Sequence, residues 1–238
     1  NMFQANQAFQ QVLTATGGAA GFLNDSGWLF GLVLAGIVAL VIVGGIKSIA
    51  HVTEFVVPFM GLFYILSSIA ILFIHAEQVP EAMHAIFVGA FTPEAGYGGL
   101  IGVLMWGFQR ATFSNESGIG SAPIAYSAVR TDEPLSVGFV SLLEPFIDTM
   151  IICTMTALVI LTVEGDFTYN GEAVRHVWQS DLGTTAMSGF VTTSGAFAAA
   201  FPTLIGGIPL GTLVASVALI LFVFTTLLTW SYYGERAL

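Results

Sequence analysis

The stretch WLFGLVLAGIVALVIVGGI, from Trp28 to Ile46, contains no charged side chain. A bilayer core about 30 Å thick needs about 20 residues of helix, because each residue adds about 1.5 Å. This stretch therefore predicts a transmembrane helix. The whole chain has the same character: 55% of its 238 residues are hydrophobic and only 8% are charged, against about 25% in soluble domains. We interpret the chain as an all-α membrane protein that covers its surface with lipid.

Apolar runs on both sides of this stretch extend the prediction. Residues 1–15 indicate the end of one helix, and further spans are predicted over about 52–74, 98–129, 135–163 and 208–232. Residues 178–201 are rich in Ala, Gly, Thr and Ser and contain several glycines, so they predict a helical hairpin on one membrane face. A true span over the same residues is the alternative.

The few basic residues predict the orientation of these spans. With the boundaries given above, Lys47, Arg130 and Arg236 fall on one side, which the positive-inside rule makes cytoplasmic. Seven of the fifteen acidic residues, including Asp166, fall on the opposite side together with one basic residue, Arg175. The net charge is −10, but the acids do not form runs, and no nucleic-acid partner is expected.

A polar segment interrupts the predicted span over 98–129. Residues 107–125 read GFQRATFSNESGIGSAPIA and lie between two apolar half-spans. Irregular backbone at membrane depth survives only where protein or a water-filled cavity satisfies its polar groups. A helix broken there exposes amides and carbonyls that can bind the two charged ends of a substrate. We therefore predict a discontinuous helix with a binding site at the break.

Two other interpretations of this segment were weighed. Arg110 to Glu116 could be a cytoplasmic loop, but each flanking half would then be too short to cross alone. Gly118 to Gly120 could be a phosphate loop, but no strand precedes it and no lysine follows at the required spacing.

Several long runs resemble the alanine or glycine:cation symporter family. They are NMFQANQ at 1–7, FSNESGIGSAPIA at 113–125, TDEP at 131–134, FIDTMIICTMT at 146–156 and WSYYGE at 230–235. Two positions depart from the pattern: Ser117, where the family more often has Ala, and Tyr126, where it more often has His. The resemblance extends over nearly the whole chain.

The resemblance implies a LeuT-like core of two inverted repeats. The chain would supply an incomplete core, from about core helix 3 at residues 1–15 to core helix 8 at 208–232, with 98–129 as the broken sixth helix. The chain would then be an internal piece of a longer transporter. That transporter would lie in the plasma membrane, with the lipid bilayer as its surroundings.

The resemblance also implies a symporter of alanine or glycine with no cofactor and Na⁺ as the coupling ion. Coupling to protons is the alternative. The expected substrate-binding residues are Gln4, Phe113, Ser114, Asn115, Gly118, Gly120 and Ser121. The expected ion ligands are the hydroxyls of Thr225, Thr226 and Thr229, since hard cations prefer oxygen donors.

Each of these roles has a structural alternative. The threonines could bond to carbonyls of their own helix, and Gln4 could bond to another helix. Glu144 and Asp148 lie four residues apart within a predicted span, where carboxylates are costly. We expect Arg110 to form an ion pair with one of three carboxylates, those of Glu116, Glu144 and Asp148.

Two further function classes were considered. A channel could use the same polar break, but the sequence has no ring of charges or carbonyl filter. A membrane enzyme could use Glu116 or Asp148 as a base, but no nucleophile–base pair or metal triad has recognisable spacing. A structural metal is not expected, because the four histidines are scattered.

Overall fold

The computed structural model describes residues 2–16, 25–91, 104–105, 107–108, 120–169, 172–176 and 190–238. The chain divides into two compact units. Unit 1 contains Asn1–His75 and Val159–Leu238, and unit 2 contains Ala76–Leu158.

The elements of the described residues are mostly helices. In chain order the helices are α1 (Met2–Ala15), α2 (Gly27–Ile42), α3 (Gly45–Ile74), α4 (Val79–Ala90), α5 (Ala122–Tyr126), α6 (Pro134–Ser141), α7 (Leu143–Pro145), a π-helix (Phe146–Cys153), α8 (Thr154–Thr162), α9 (Phe190–Ala200) and α10 (Leu210–Ala237). Two antiparallel hairpins pair β1 (Gly165–Tyr169) with β2 (Glu172–His176), and β3 (Leu204–Ile205) with β4 (Ile208–Pro209).

Helix α10 is the centre of unit 1, where it contacts α1, α2, α3 and α9. Helix α3 turns one stripe towards it, formed by Met60, Tyr64, Ser68 and Ile71, which are all buried. These positions recur every three or four residues, as one face of an α-helix requires. Helix α2 has no buried residue, so its apolar side chains suit contact with lipid.

The backbones of α9 and α10 approach each other closely at Gly211. A Cβ atom at Gly211 would overlap the carbonyl group of Phe197 on α9. The Gly211 amide donates a hydrogen bond to the carbonyl oxygen of Phe201, at 3.2 Å. Most of α9 is buried as a result, including Phe197, which is stacked on Tyr64 of α3 with ring centroids 5.8 Å apart.

Unit 2 contains a change of helix type after Pro145. The chain runs as α6 and α7 up to this proline and then continues as a π-helix before α8 begins. Proline has no N–H to donate and its ring clashes with the preceding turn, so a regular α-helix is disrupted there. A wider i to i+5 turn is one way to absorb the defect, and such segments recur at functional sites.

The structure sets several boundaries differently from the sequence prediction. The run expected over 28–46 ends as helix α2 at Ile42, because Gly45 has a φ of 68° and breaks the helix. Residues 45–46 instead open α3, which starts seven residues before the expected span at 52–74. The run expected over 208–232 begins as strand β4 and becomes helical at Leu210.

Both hairpins of strands were missed by the sequence analysis. The strands β1 and β2 follow directly after α8, in a stretch that was left unassigned between two predicted spans. Of the hairpin of helices expected over 178–201, the structure describes α9, and residues 178–189 lie outside the described residues.

Three helical runs are long and apolar enough to cross a membrane, considering the described residues alone: Gly45–Ile74, Pro134–Thr162 and Leu210–Ala237. Helices α2 and α9 are apolar but shorter. The chain is therefore a mostly helical protein of the membrane class, which confirms the class expected from composition.

We expect Gly211→Ala to destabilise the protein by about 1–3 kcal/mol, because the added methyl group must push α9 and α10 apart. Gly234→Ala is the matched control on the same helix, since a Cβ there meets no described atom within 4 Å. The control should be neutral or slightly stabilising, because alanine favours helix over glycine. Thermal unfolding of both variants in detergent measures the difference, and equal melting temperatures would contradict the close approach.

Candidate functional site

The inner face of α1 carries two glutamines. Gln4, Ala8 and Gln11 are spaced by four and three residues, so they lie on one face of the helix. Ala8 and Gln11 are 1% and 4% exposed. A polar side chain buried in this way must find hydrogen-bond partners or pay for their loss.

Gln11 has its partners. Its Nε2 atom donates to Ser194 Oγ of α9 at 2.7 Å and to Ser216 Oγ of α10 at 3.0 Å. The Ser216 hydroxyl donates in turn to the carbonyl oxygen of Thr212 at 2.6 Å. The sequence analysis missed Gln11, although a second glutamine two helical turns from Gln4 was a signal that could have found it.

Gln4 is in the opposite condition. Its Oε1 atom is buried, and no group among the described residues donates a hydrogen bond to it. A buried acceptor without a donor costs about 1–3 kcal/mol. The contrast with Gln11 shows that α1 holds one satisfied amide and one carbonyl oxygen that is open to a donor.

Helix α10 holds the three threonines expected to bind an ion. Their hydroxyls lie within hydrogen-bond reach of carbonyls of their own helix: Thr225 at 3.0 Å from Phe222 O, Thr226 at 2.8 Å from Phe222 O, and Thr229 at 3.0 Å from Thr225 O. A hydroxyl that donates its proton in this way keeps its lone pairs for a cation. The alternative raised from sequence is thus seen, and it is compatible with ion binding.

The three threonines differ in their surroundings. Thr225 is 6% exposed and its hydroxyl also lies 3.7 Å from the Met60 sulfur of α3. Thr226 and Thr229 are half-buried and lie three residues apart, so they share a face of α10. This face is better placed than Thr225 to present two oxygens to an ion.

Gln4 and these threonines lie at the same end of the α1–α10 pair. Gln11 bonds to Ser216 at one level of the pair. Further along, Ala5 and Asn6 of α1 line a groove of about 450 Å³ together with Leu227 of α10. Residue numbers therefore fall along α1, from 11 to 5, while they rise along α10, from 216 to 227. The two helices are thus antiparallel.

In unit 2, the described backbone is non-helical at Gly120, directly before the N-cap residue Ser121. Gly120 has a φ of 76°, in the left-handed region that favours glycine. Helix α5 begins afresh at Ala122, and the Ile124 amide donates to the Ser121 carbonyl oxygen at 2.9 Å. The Ser121 Oγ atom is buried and has no partner among the residues of known placement.

The remaining substrate residues expected in this segment lie outside the described residues. They are Phe113, Ser114, Asn115 and Gly118. Arg110 and Glu116, which were weighed as members of an ion pair, are outside them as well.

Glu144 has a partner that the sequence analysis did not foresee. The hydroxyl of Tyr126, on α5, donates to Glu144 Oε2 at 3.0 Å. Glu144 is the residue before Pro145, and Asp148 follows within the π-helix. A half-buried carboxylate in an apolar run is thus bonded to the short helix that follows Gly120. Tyr126 is one of the two positions that depart from the family pattern, and that departure was the available signal.

This fold and these polar sites within apolar helices define an α-helical membrane protein. Comparison with known sequences identifies the family. The chain belongs to the sodium:alanine symporter family, whose profile matches residues 1–238. The resemblance seen in the sequence is confirmed, and the family is one of symporters rather than enzymes.

Known relatives cover most of the chain. The sodium/alanine symporter AgcS of Methanococcus maripaludis is 42% identical over 237 residues, covering 99% of this chain and 46% of AgcS. A sodium/proton-dependent alanine carrier protein of Bacillus sp. (strain PS3) is 32% identical over 209 residues, covering 87% of this chain and 45% of the carrier. The amino-acid carrier protein AlsT of Bacillus subtilis is 36% identical over 161 residues, covering 66% of this chain and 35% of AlsT. The chain thus spans less than half the length of these relatives.

We expect Tyr126→Phe to destabilise the protein by about 1 kcal/mol, because Glu144 loses a hydrogen-bond donor in a half-buried position. Ser127→Ala is the matched control, since the Ser127 hydroxyl donates to Ile124 O of its own helix. Thermal unfolding of both variants measures the difference. A Tyr126→Phe protein that melts like the control would show that the bond contributes nothing to stability.

Proposed function

We propose that the full-length protein is a secondary active transporter that couples sodium to the symport of a small neutral amino acid, alanine or glycine, by alternating access. Membership of the sodium:alanine symporter family and the alanine transport functions of the relatives support this proposal. We further propose a LeuT-like core and a multi-pass location in the plasma membrane. Three helical runs of spanning length, counted in the described ranges, support that location.

The observation that carries the proposal is the buried carbonyl oxygen of Gln4, which has no donor among the described residues. An amino acid in its zwitterionic form brings an ammonium group with three donors, and a buried carbonyl oxygen is a suitable acceptor for one of them. We propose that Gln4 binds this ammonium group. Ala8 lies one turn away on the same face and is almost fully buried, so the wall beside Gln4 is closed and suits a small substrate.

We propose a second set of substrate contacts in the segment 113–121. The left-handed backbone at Gly120 and the unpaired hydroxyl of Ser121 support a break in the helix at this point. Phe113, Ser114, Asn115 and Gly118 complete the set proposed from the sequence. Backbone groups at such a break can bind the charged ends of an amino acid.

We propose that the coupling sodium ion is bound by hydroxyl oxygens of α10. Thr225, Thr226 and Thr229 are the candidates, and Thr226 and Thr229 are favoured by their shared, half-buried face. Their position at the same end of the α1–α10 pair as Gln4 supports coupling, because an ion bound there lies near the residue proposed to bind the substrate.

Counterflow of labelled alanine in proteoliposomes containing the full-length protein tests the transport proposal. Uptake should require sodium and should not be supported when potassium replaces it. Gln4→Met should raise the KM for alanine about tenfold, the factor for about 1.4 kcal/mol, because a charge-assisted hydrogen bond is lost. Gln7→Met, on the same helix, makes the same chemical change and should leave KM unaltered. Sodium-independent uptake, or no uptake, would overturn the proposal.

Thr226→Ala should raise the sodium concentration needed for half-maximal uptake, because one hard oxygen ligand is removed. A rise of about tenfold is expected for the loss of about 1.4 kcal/mol of ion binding. Ser231→Ala is the control on the same helix, since the Ser231 hydroxyl likewise donates to a carbonyl oxygen of its own helix, that of Leu228, at 2.6 Å. If Thr225→Ala, Thr226→Ala and Thr229→Ala all keep normal sodium dependence, the ion site lies elsewhere.

A further inference from the structure

Three helices of unit 1 meet at the side chain of Gln11. The amide group lies between Ser194 of α9 and Ser216 of α10, and both serines are 6% exposed. Nothing in the assignment of substrate or ion residues uses this cluster, which we call the Gln11 cluster (Gln11, Ser194, Ser216). In this cluster, side-chain hydrogen bonds link α1 both to α9 and to α10.

The direction of the bonds in the Gln11 cluster is fixed. The amide nitrogen of Gln11 has two protons and each is used, one for each serine. The proton of Ser216 goes to the carbonyl oxygen of Thr212, one turn earlier on α10. Ser216 therefore accepts from Gln11 through a lone pair, and the bond depends on the height of α10 relative to α1.

The Gln11 cluster consequently sets the axial register between α1 and α10. A slip of one residue moves a helix by about 1.5 Å along its axis, which is enough to break a hydrogen bond of 3.0 Å. Gln4 lies seven residues from Gln11, or about 10 Å along α1, and Thr226 lies ten residues from Ser216, or about 15 Å along α10. Because helices are stiff, the register at Gln11 also fixes the height of Gln4 relative to Thr226.

We propose that Gln11 is a positioning residue for transport, which keeps Gln4, proposed to bind the substrate, and Thr226, proposed to bind the ion, at a fixed height relative to each other through its bond to Ser216. The bond from Gln11 to Ser194 ties α9 to α1 and α10 as well. The proposal rests on the proposed function, because it assigns Gln11 an effect on the binding of alanine and sodium. It adds a residue that touches neither ligand.

Gln11→Met, Ser216→Ala and the double variant test the proposal in the full-length protein, with Gln10→Met as the matched control on α1. The KM for alanine and the half-saturating sodium concentration should both rise about two- to tenfold in each single variant, the factor expected for one lost hydrogen bond. The double variant should show no larger rise than Gln11→Met alone, because Gln11→Met already removes the bond to Ser216. Gln10→Met should behave like wild type.

A purely structural role gives a different result. It would lower the amount of folded transporter, and therefore the maximal rate, while leaving KM and sodium dependence unchanged. That result, or additive effects in the double variant, would overturn the proposal.

A second measurement keeps the register testable without transport. Asn6→Cys and Leu227→Cys place one thiol on each helix at the groove that they share. The background has Cys153, the single cysteine of these 238 residues, and any cysteine elsewhere in the full-length protein replaced by alanine. Gln11→Met should slow their cross-linking by a short bifunctional reagent, and Gln10→Met should not. If wild-type protein shows no sodium-driven uptake, the proposed function fails. If wild-type uptake is normal but Gln11→Met changes neither the cross-linking rate nor the KM for alanine, the positioning role fails.

Discussion

The side-chain amide of Gln11 joins three helices, because a buried hydrogen-bond donor in an apolar core has few acceptors within reach. Two protons need two acceptors, and Ser194 and Ser216 supply them from α9 and α10. In an apolar surrounding the alternative is an unsatisfied donor, which is costly. Apolar packing between α1 and α10 is tolerant of small sliding movements, whereas this directional bond is not. The arrangement of α1, α9 and α10 thus depends on a small polar cluster inside a hydrophobic unit.

The close approach at Gly211 complements the Gln11 cluster. The carbonyl of Phe197 occupies the space that any side chain at 211 would need, so the α9 and α10 backbones pack directly on each other. Small residues at helix interfaces allow this kind of contact in membrane proteins. Together, the hydrogen bonds and the close contact make the 11 described residues of α9 part of the core of unit 1.

The buried polar groups of the described residues fall into two sets, those with hydrogen-bond partners and those without. The Gln11 amide nitrogen and the Ser216 hydroxyl are hydrogen-bonded and join helices, whereas Gln4 Oε1 and Ser121 Oγ are buried and lack partners among the described residues. Both unsatisfied atoms belong to residues that the sequence analysis named as substrate contacts. Ser68 Oγ is also buried without a described partner, and no role was expected for it, so an unpaired atom alone does not identify a site.

The sequence by itself determined the class of the protein and most of its helices, because apolar runs of about 20 residues and scarce charge leave few other solutions than membrane helices. It also identified the family, through runs such as FSNESGIGSAPIA. Only the tertiary structure decided which polar side chains are paired. Gln4 and Gln11 are chemically identical and lie on one face of one helix, so no local pattern separates them. What separates them is the presence of Ser194 and Ser216, which lie 183 and 205 residues away from Gln11 in the chain. The bond between Tyr126 and Glu144 was undetermined for a similar reason, since it depends on how helix α5 packs against the segment that carries Glu144.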